Sequence, residues 1–97
     1  MELTAVGELW EWRGPAPYFF VTVPAAQSDE LHAVARAVSY GWGMVAVRAT
    51  VGSTTWSTSL FRKDGRYVLP VKDAVRTAER LREGDVVEAR LVLTLGA

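Results

Sequence analysis

Apolar and polar positions along this chain follow two periods, one of two residues and one of three to four. Residues 3–12 place Leu3, Ala5, Gly7 and Leu9 on one side and Thr4, Val6, Glu8, Trp10 and Trp12 on the other. That is the period of a strand, with its indoles sharing one face. Arg13-Gly14-Pro15-Ala16-Pro17 interrupts it, because proline brings no N–H to a ladder. Tyr18–Val23, dense in aromatic and β-branched residues, predicts a second strand that Pro24 ends.

The period then changes. Ser28 offers an N-cap oxygen, Asp29 and Glu30 suit the positive end of a helix dipole, and Leu31, Val34, Ala35 and Val38 recur at helical spacing. A helix over about 28–39 is expected, closed by a glycine C-cap and turn in Tyr40-Gly41-Trp42-Gly43. From Met44 to Val51 the period returns to two, with Val45, Val47, Ala49 and Val51 facing one way, and Gly52 closes the strand. Residues 54–61 alternate again, Thr54, Trp56, Thr58 and Leu60 opposite Thr55, Ser57, Ser59 and Phe61.

Asp64-Gly65 separates this run from Tyr67-Val68-Leu69, the strongest short-range signal for a hairpin. Pro70 is expected to open a second helix, with Val71, Ala74, Val75, Ala78 and Leu81 as its buried stripe and Gly84 as its end. Asp85 leads into a last strand, where Val87, Ala89, Leu91, Leu93 and Leu95 point inward.

Two halves emerge from this order. Trp10 stands fourteen residues before Pro24 and Trp56 fourteen before Pro70, and a helix, a glycine and an apolar strand follow each proline. Both halves read strand, strand, helix, strand, an internal pseudo-repeat spanning about 3–52 and 54–95. Six strands and two short helices do not alternate one for one, which excludes a doubly wound sheet. The expected fold is mostly β: a small barrel closed by two ββαβ units, its helices capping the barrel ends.

Composition narrows the picture without redirecting it. Ninety-seven residues suffice for a single domain spanning 1–97, which buries about two-thirds of its unfolded surface. Eleven basic residues balance eleven acidic ones, which argues against nucleic acid bound mainly through charge, although a local basic patch is compatible with that balance. There is no cysteine, so thiolate chemistry and cysteine-ligated metals are excluded. Met1-Glu2-Leu3-Thr4 lacks a basic leader, and no apolar run approaches the ~20 residues that span a bilayer; the expectation is a cytoplasmic protein with no membrane partner.

The second half carries a family resemblance. Gly52-Ser53-Thr54-Thr55-Trp56-Ser57-Thr58-Ser59-Leu60-Phe61, Asp64 through Lys72, Val75-Arg76 and Gly84-Asp85-Val86-Val87 resemble the bacterial domain of unknown function nineteen-oh-five. Trp12 and Tyr18 through Pro24 extend the likeness into the first half. The resemblance implies a double-split β-barrel of the kind seen in AbrB and MazE regulators, and no established activity. Its relatives are sometimes joined to a YdeI/OmpD-associated domain.

Candidate chemistry is sparse. Lys72 and Arg76 fall four apart, and with Arg62, Lys63 and Arg66 they suggest an anion-binding patch; Asp73 and Glu79 are equally placed to pair with Arg76 across a solvated face. Ser57, Thr58 and Ser59 supply hydroxyls, but a serine nucleophile needs a base, and His32, the one histidine, lies in the other half. No catalytic residue is assigned. One histidine and scattered carboxylates argue against a metal site, and Gly41-Trp42-Gly43 lacks the lysine and hydroxyl of a phosphate loop, so no cofactor is expected.

Four tryptophans exceed what a barrel of this size buries, leaving one or two for a groove or a dimer surface. The reading is a non-enzymatic binding or interaction module, monomer or homodimer, with a ligand-binding set of Trp56, Arg62, Tyr67, Lys72 and Arg76 near the 62–76 region. Its partner is a small ligand or a protein. An AbrB-like DNA-binding regulator is the alternative, and an enzyme acting on a small anionic substrate comes third.

Overall fold

A computed structural model describes residues 1–38 and 43–94, the side chains of 36–38 apart. The Tyr40–Trp42 turn, the Val38 side chain and Leu95 lie outside the described residues. Six antiparallel strands close into a barrel, β1 (Glu2–Trp12), β2 (Tyr18–Thr22), β3 (Val45–Val51), β4 (Thr54–Lys63), β5 (Arg66–Pro70) and β6 (Val86–Leu93). Around the barrel they run β1-β2-β5-β4-β3-β6, so every strand has a neighbour on both sides. Helix α1 (Ala25–Val38) joins β2 to β3, and α2 (Asp73–Glu79) joins β5 to β6. No helix among the described residues is long and apolar enough to cross a membrane.

The alternation read from the sequence decides what the barrel encloses. Leu3, Ala5 and Leu9 of β1, Val45, Val47, Ala49 and Val51 of β3, and Val87, Ala89, Leu91 and Leu93 of β6 are all buried in one core. Leu31 and Ala35 of α1, Val71, and Val75 of α2 join it. At the expected hairpin, Asp64 and Gly65 both hold positive φ, 52° and 79°, between the paired residues Lys63 and Arg66. Two consecutive positive φ values define a type I′ turn, whose twist matches that of the flanking strands.

Both helices differ from expectation. α1 begins at Ala25, directly after Pro24, so Ser28 is not its N-cap and its first turn holds no acidic residue. Ser28 is buried instead: its Oγ donates to the Val23 carbonyl at 2.9 Å and accepts the Tyr67 N–H at 3.1 Å. The hydroxyl oxygen that suits a cap equally suits a bridge between strand ends, and here the bridge wins. Pro70 does not open α2; it is the last residue of β5, and α2 starts three residues later.

α2 is also shorter than the stripe predicts. Ala74 and Ala78 are exposed, and Val75 is its one buried residue. It ends at Arg80, in the left-handed region at φ 55°, with the Leu81 N–H donating to Arg76 O at 2.9 Å and the Arg80 N–H to Thr77 O at 3.3 Å. This is a Schellman closure with arginine where glycine is usual. Gly84 belongs to the following turn, where its N–H donates to Leu9 O at 2.7 Å and ties the entry of β6 to β1.

The matching tryptophan-to-proline spacings do not mark equivalent positions. Trp10 is half-buried, with Nε1 donating to Thr22 Oγ1 at 2.9 Å, whereas Trp56 belongs to the barrel core.

Candidate functional site

The outward side of β1, β2 and β4 is unusually aromatic. Trp10 pairs with Phe20 in register, and their rings lie 5.2 Å apart. Phe20 meets Tyr18 at 5.5 Å and Phe61 edge-on at 5.5 Å, so one phenyl ring is the hub of three aromatic contacts. Phe20 is only 9% exposed yet lies outside the barrel core cluster. It is buried by other surface aromatics, not by the barrel. Tyr18 at 40% and Trp12 at 42% exposure leave ring surface open to solvent.

Strand pairing explains why these residues meet. β2 and β5 pair through Phe20↔Pro70, and β5 pairs with β4 through Val68↔Phe61, so side chains remote in sequence lie side by side. Three hollows follow one another across this face. The first, ≈ 510 Å³, is lined by Tyr18, Phe20, Met44, Thr58, Phe61 and Pro70 among others. The second, ≈ 440 Å³, shares Phe20 and Phe61 and adds Trp12, Arg62 and Lys63. The third, ≈ 360 Å³, shares Lys63 and adds Trp10, Thr22, Asp64, Arg66 and Val68. The lining passes from apolar to cationic along the series.

The charge is segregated although the chain is neutral. β2, β4 and β5 contain no Asp or Glu, while β4 and β5 contribute Arg62, Lys63 and Arg66; Glu2, Glu8 and Glu11 stand on β1, and Glu88 on β6 is balanced by Arg90. Lys63 meets Asp64 only at 3.9 Å, with both side chains exposed. Such a pair is worth little and leaves the lysine available.

The residues expected to bind ligand divide into separate environments. Trp56 and Tyr67 are buried in the core, and Trp56 Nε1 has no hydrogen-bond partner among the described residues. Arg62 stands over the Tyr67 ring at 5.3 Å, donates to Gly65 O at 3.2 Å and contacts His32 Nδ1 at 2.6 Å. A guanidinium only donates, so Nδ1 is the acceptor in this contact. Arg62 therefore fastens the hairpin turn to α1.

Arg76 is similarly engaged. Its guanidinium lies 4.0 Å from the Phe19 ring centroid, donates to Val71 O at 2.6 Å and reaches Asp73 Oδ1 at 3.2 Å. Lys72 is exposed just ahead of α2. Among the described residues no hydrogen bond, ion pair or ring contact joins Lys72 or Arg76 to Arg62 and Tyr67. Tyr18, Phe20 and Phe61 were not singled out from the sequence. The available signal was the alternation that sets Phe61 opposite Trp56, but only the β2–β5 pairing turns it into a shared face.

Among the described residues no group of three His, Asp or Glu side chains is placed to hold a metal ion. No curated protein matches the chain. A family model matches residues 6–91, nearly the whole length of the barrel, and the chain belongs to that family, the domain of unknown function DUF1905.

Proposed function

We infer that this domain is a non-enzymatic binding module whose ligand lies on the outer aromatic face and presents a flat apolar ring beside an anionic group. The observation that carries this reading is the juxtaposition of the Tyr18–Phe20–Phe61 ring cluster with Arg62, Lys63 and Arg66 on strands free of carboxylates. Aromatic faces attract flat rings by stacking and area burial, and a cationic rim selects negative charge. Phenyl phosphate is the minimal probe. It should quench tryptophan emission and raise the melting temperature more than inorganic phosphate or phenol alone, and Tyr18→Ala and Lys63→Ala should each reduce the response. Equal responses to phenyl phosphate and inorganic phosphate would remove the aromatic face from the reading.

We also infer that the barrel is a double-split arrangement of two ββαβ units, 2–51 and 54–93. Exchanging the units maps observed pairs onto observed pairs: Leu3↔Leu91 onto Trp56↔Ala49, Ala5↔Ala89 onto Thr58↔Val47, and Leu9↔Val21 onto Arg62↔Tyr67. In that exchange Leu3, not Trp10, is the counterpart of Trp56, and the β3–β4 turn is the counterpart of the chain ends, where the Leu93 N–H donates to Met1 O at 2.9 Å. A circular permutant opened between Gly52 and Ser53, its original ends joined by a short glycine-rich linker, should fold cooperatively. Loss of the cooperative transition would count against two interchangeable units.

A further inference from the structure

We propose that the ligand of the aromatic face is single-stranded nucleic acid, its bases stacked on the exposed rings and its phosphates on the hairpin cations. This rests on the binding reading above and deepens it. A single small ring and one anion would need one hollow. Here three hollows form a continuous track, linked first by the shared Phe20–Phe61 wall and then by the shared Lys63, running from apolar through mixed to cationic. A repeating ligand in which flat rings alternate with negative charges matches such a track.

Strand-borne aromatics beside cations are a known physical solution for sequence-tolerant recognition of single strands, because every base has a π-face while duplex bases are hidden in the stack. The rings here are held from below: Phe20 is packed by Trp10, Tyr18 and Phe61, and Trp10 is tied to Thr22. Tyr18 and Trp12 keep 40% and 42% of their surface exposed, Trp12 with Gly14 packed against its ring. The balanced charge of the whole chain is no obstacle, since β2 lies between β1, which carries Glu2, Glu8 and Glu11, and the β4–β5 hairpin that supplies Lys63 and Arg66. A proline-rich peptide would also meet aromatic grooves, but a rim on which Arg62, Lys63 and Arg66 outnumber the single carboxylate of Asp64 favours a polyanion.

The test is fluorescence anisotropy of a labelled oligothymidylate of about ten nucleotides, compared with its duplex and with free thymidine monophosphate, over a salt series. The single strand should bind more tightly than either. Tyr18→Ala should weaken it roughly 5- to 150-fold, the range for losing one stacked base, while Tyr18→Phe stays near wild type. Lys63→Ala and Arg66→Ala should each reduce the log–log salt slope by about 0.7. Unchanged melting temperatures would show that the variants fold.

Duplex binding as tight as single-strand binding, or a Tyr18→Ala affinity equal to wild type, would overturn the proposal. If phenyl phosphate binds in a Tyr18-dependent way and the oligonucleotide does not, this inference falls and the binding reading stands. If neither binds, both fall.

Discussion

The side chain of Ser28 and the backbone of Tyr67 are joined inside the protein: the Ser28 hydroxyl accepts the Tyr67 N–H at 3.1 Å while it donates to Val23 O. Val23 N–H in turn donates to Tyr67 O at 2.8 Å. Three segments, the end of β2, the first turns of α1 and the start of β5, therefore meet on one buried hydroxyl. Ser28→Ala leaves a buried donor and a buried acceptor without their partner, so a loss of about 1–3 kcal/mol is expected. Urea unfolding of the two proteins measures it, and a change under about 0.5 kcal/mol would mean that the bond is dispensable.

Arg80 holds a conformation that costs an ordinary side chain about 1–2 kcal/mol. The helix closure it completes uses only backbone groups, Arg80 N–H and Leu81 N–H. Arg80→Gly should therefore raise stability by about 1 kcal/mol with the Schellman bonds intact. A destabilised variant would assign the arginine side chain a contact that outweighs its backbone strain.

Arg76 and Lys72 should separate in their effects. Arg76 packs on Phe19 and donates to Val71 O from a side chain only 18% exposed, so Arg76→Ala should cost about 1–2 kcal/mol through lost packing and an unmet carbonyl. Arg76→Lys, lacking the planar guanidinium, should recover part of this. Lys72→Ala should leave the unfolding midpoint unchanged. If instead both variants retain wild-type stability and lose an anion-induced thermal shift, the pair acts as an anion site.

Gly52 and Glu79 form a coupled pair. The Glu79 carboxylate accepts from Thr54 Oγ1, fastening α2 to the β3–β4 turn, and a Cβ on Gly52 would collide with it. Gly52 also holds φ 59°. Gly52→Ala should cost more than about 1 kcal/mol in the wild type and less in a Glu79→Ala background, where only the backbone term remains. Equal costs in the two backgrounds would show that the carboxylate yields freely.

How much of this was legible in the sequence depends on whether a residue had one physical use or two. Asp64-Gly65 has one, two positive φ values in a row, and the hairpin follows. Ser28 has two, cap and bridge, and the choice is made by Val23 and Tyr67, which the sequence places far apart. Arg80 could not be anticipated as a helix end, because glycine is the usual residue in the left-handed closing position and the nearest glycine, Gly84, lies four residues on.

The tryptophans mislead for a geometric reason. The five-residue Arg13–Pro17 loop on one hairpin and the two-residue turn on the other displace β1 relative to β4 by an odd number of positions, and an odd displacement exchanges faces. Trp10 therefore looks outward where Trp56 looks inward. The aromatic face was hidden likewise: each strand's alternation is visible, but which strands adjoin is not, and Phe20 meets Phe61 only because β5 lies between β2 and β4.

The closed ring of strands has a consequence for recognition itself. Many small β domains capture partners by lending them a bare strand margin, so that main-chain bonding supplies affinity whatever the partner's side chains. Closure narrows that route here without removing it: β1 pairs with β6 over Glu2–Glu8 and with β2 over Leu9–Trp12, and β4 pairs with β3 over Thr54–Leu60 and with β5 over Phe61–Lys63, so each stretch of these two strands is paired along one margin. On the aromatic wall, recognition is by projecting side chains, so selectivity there is open to change by single substitutions without unmaking the ring of strands beneath.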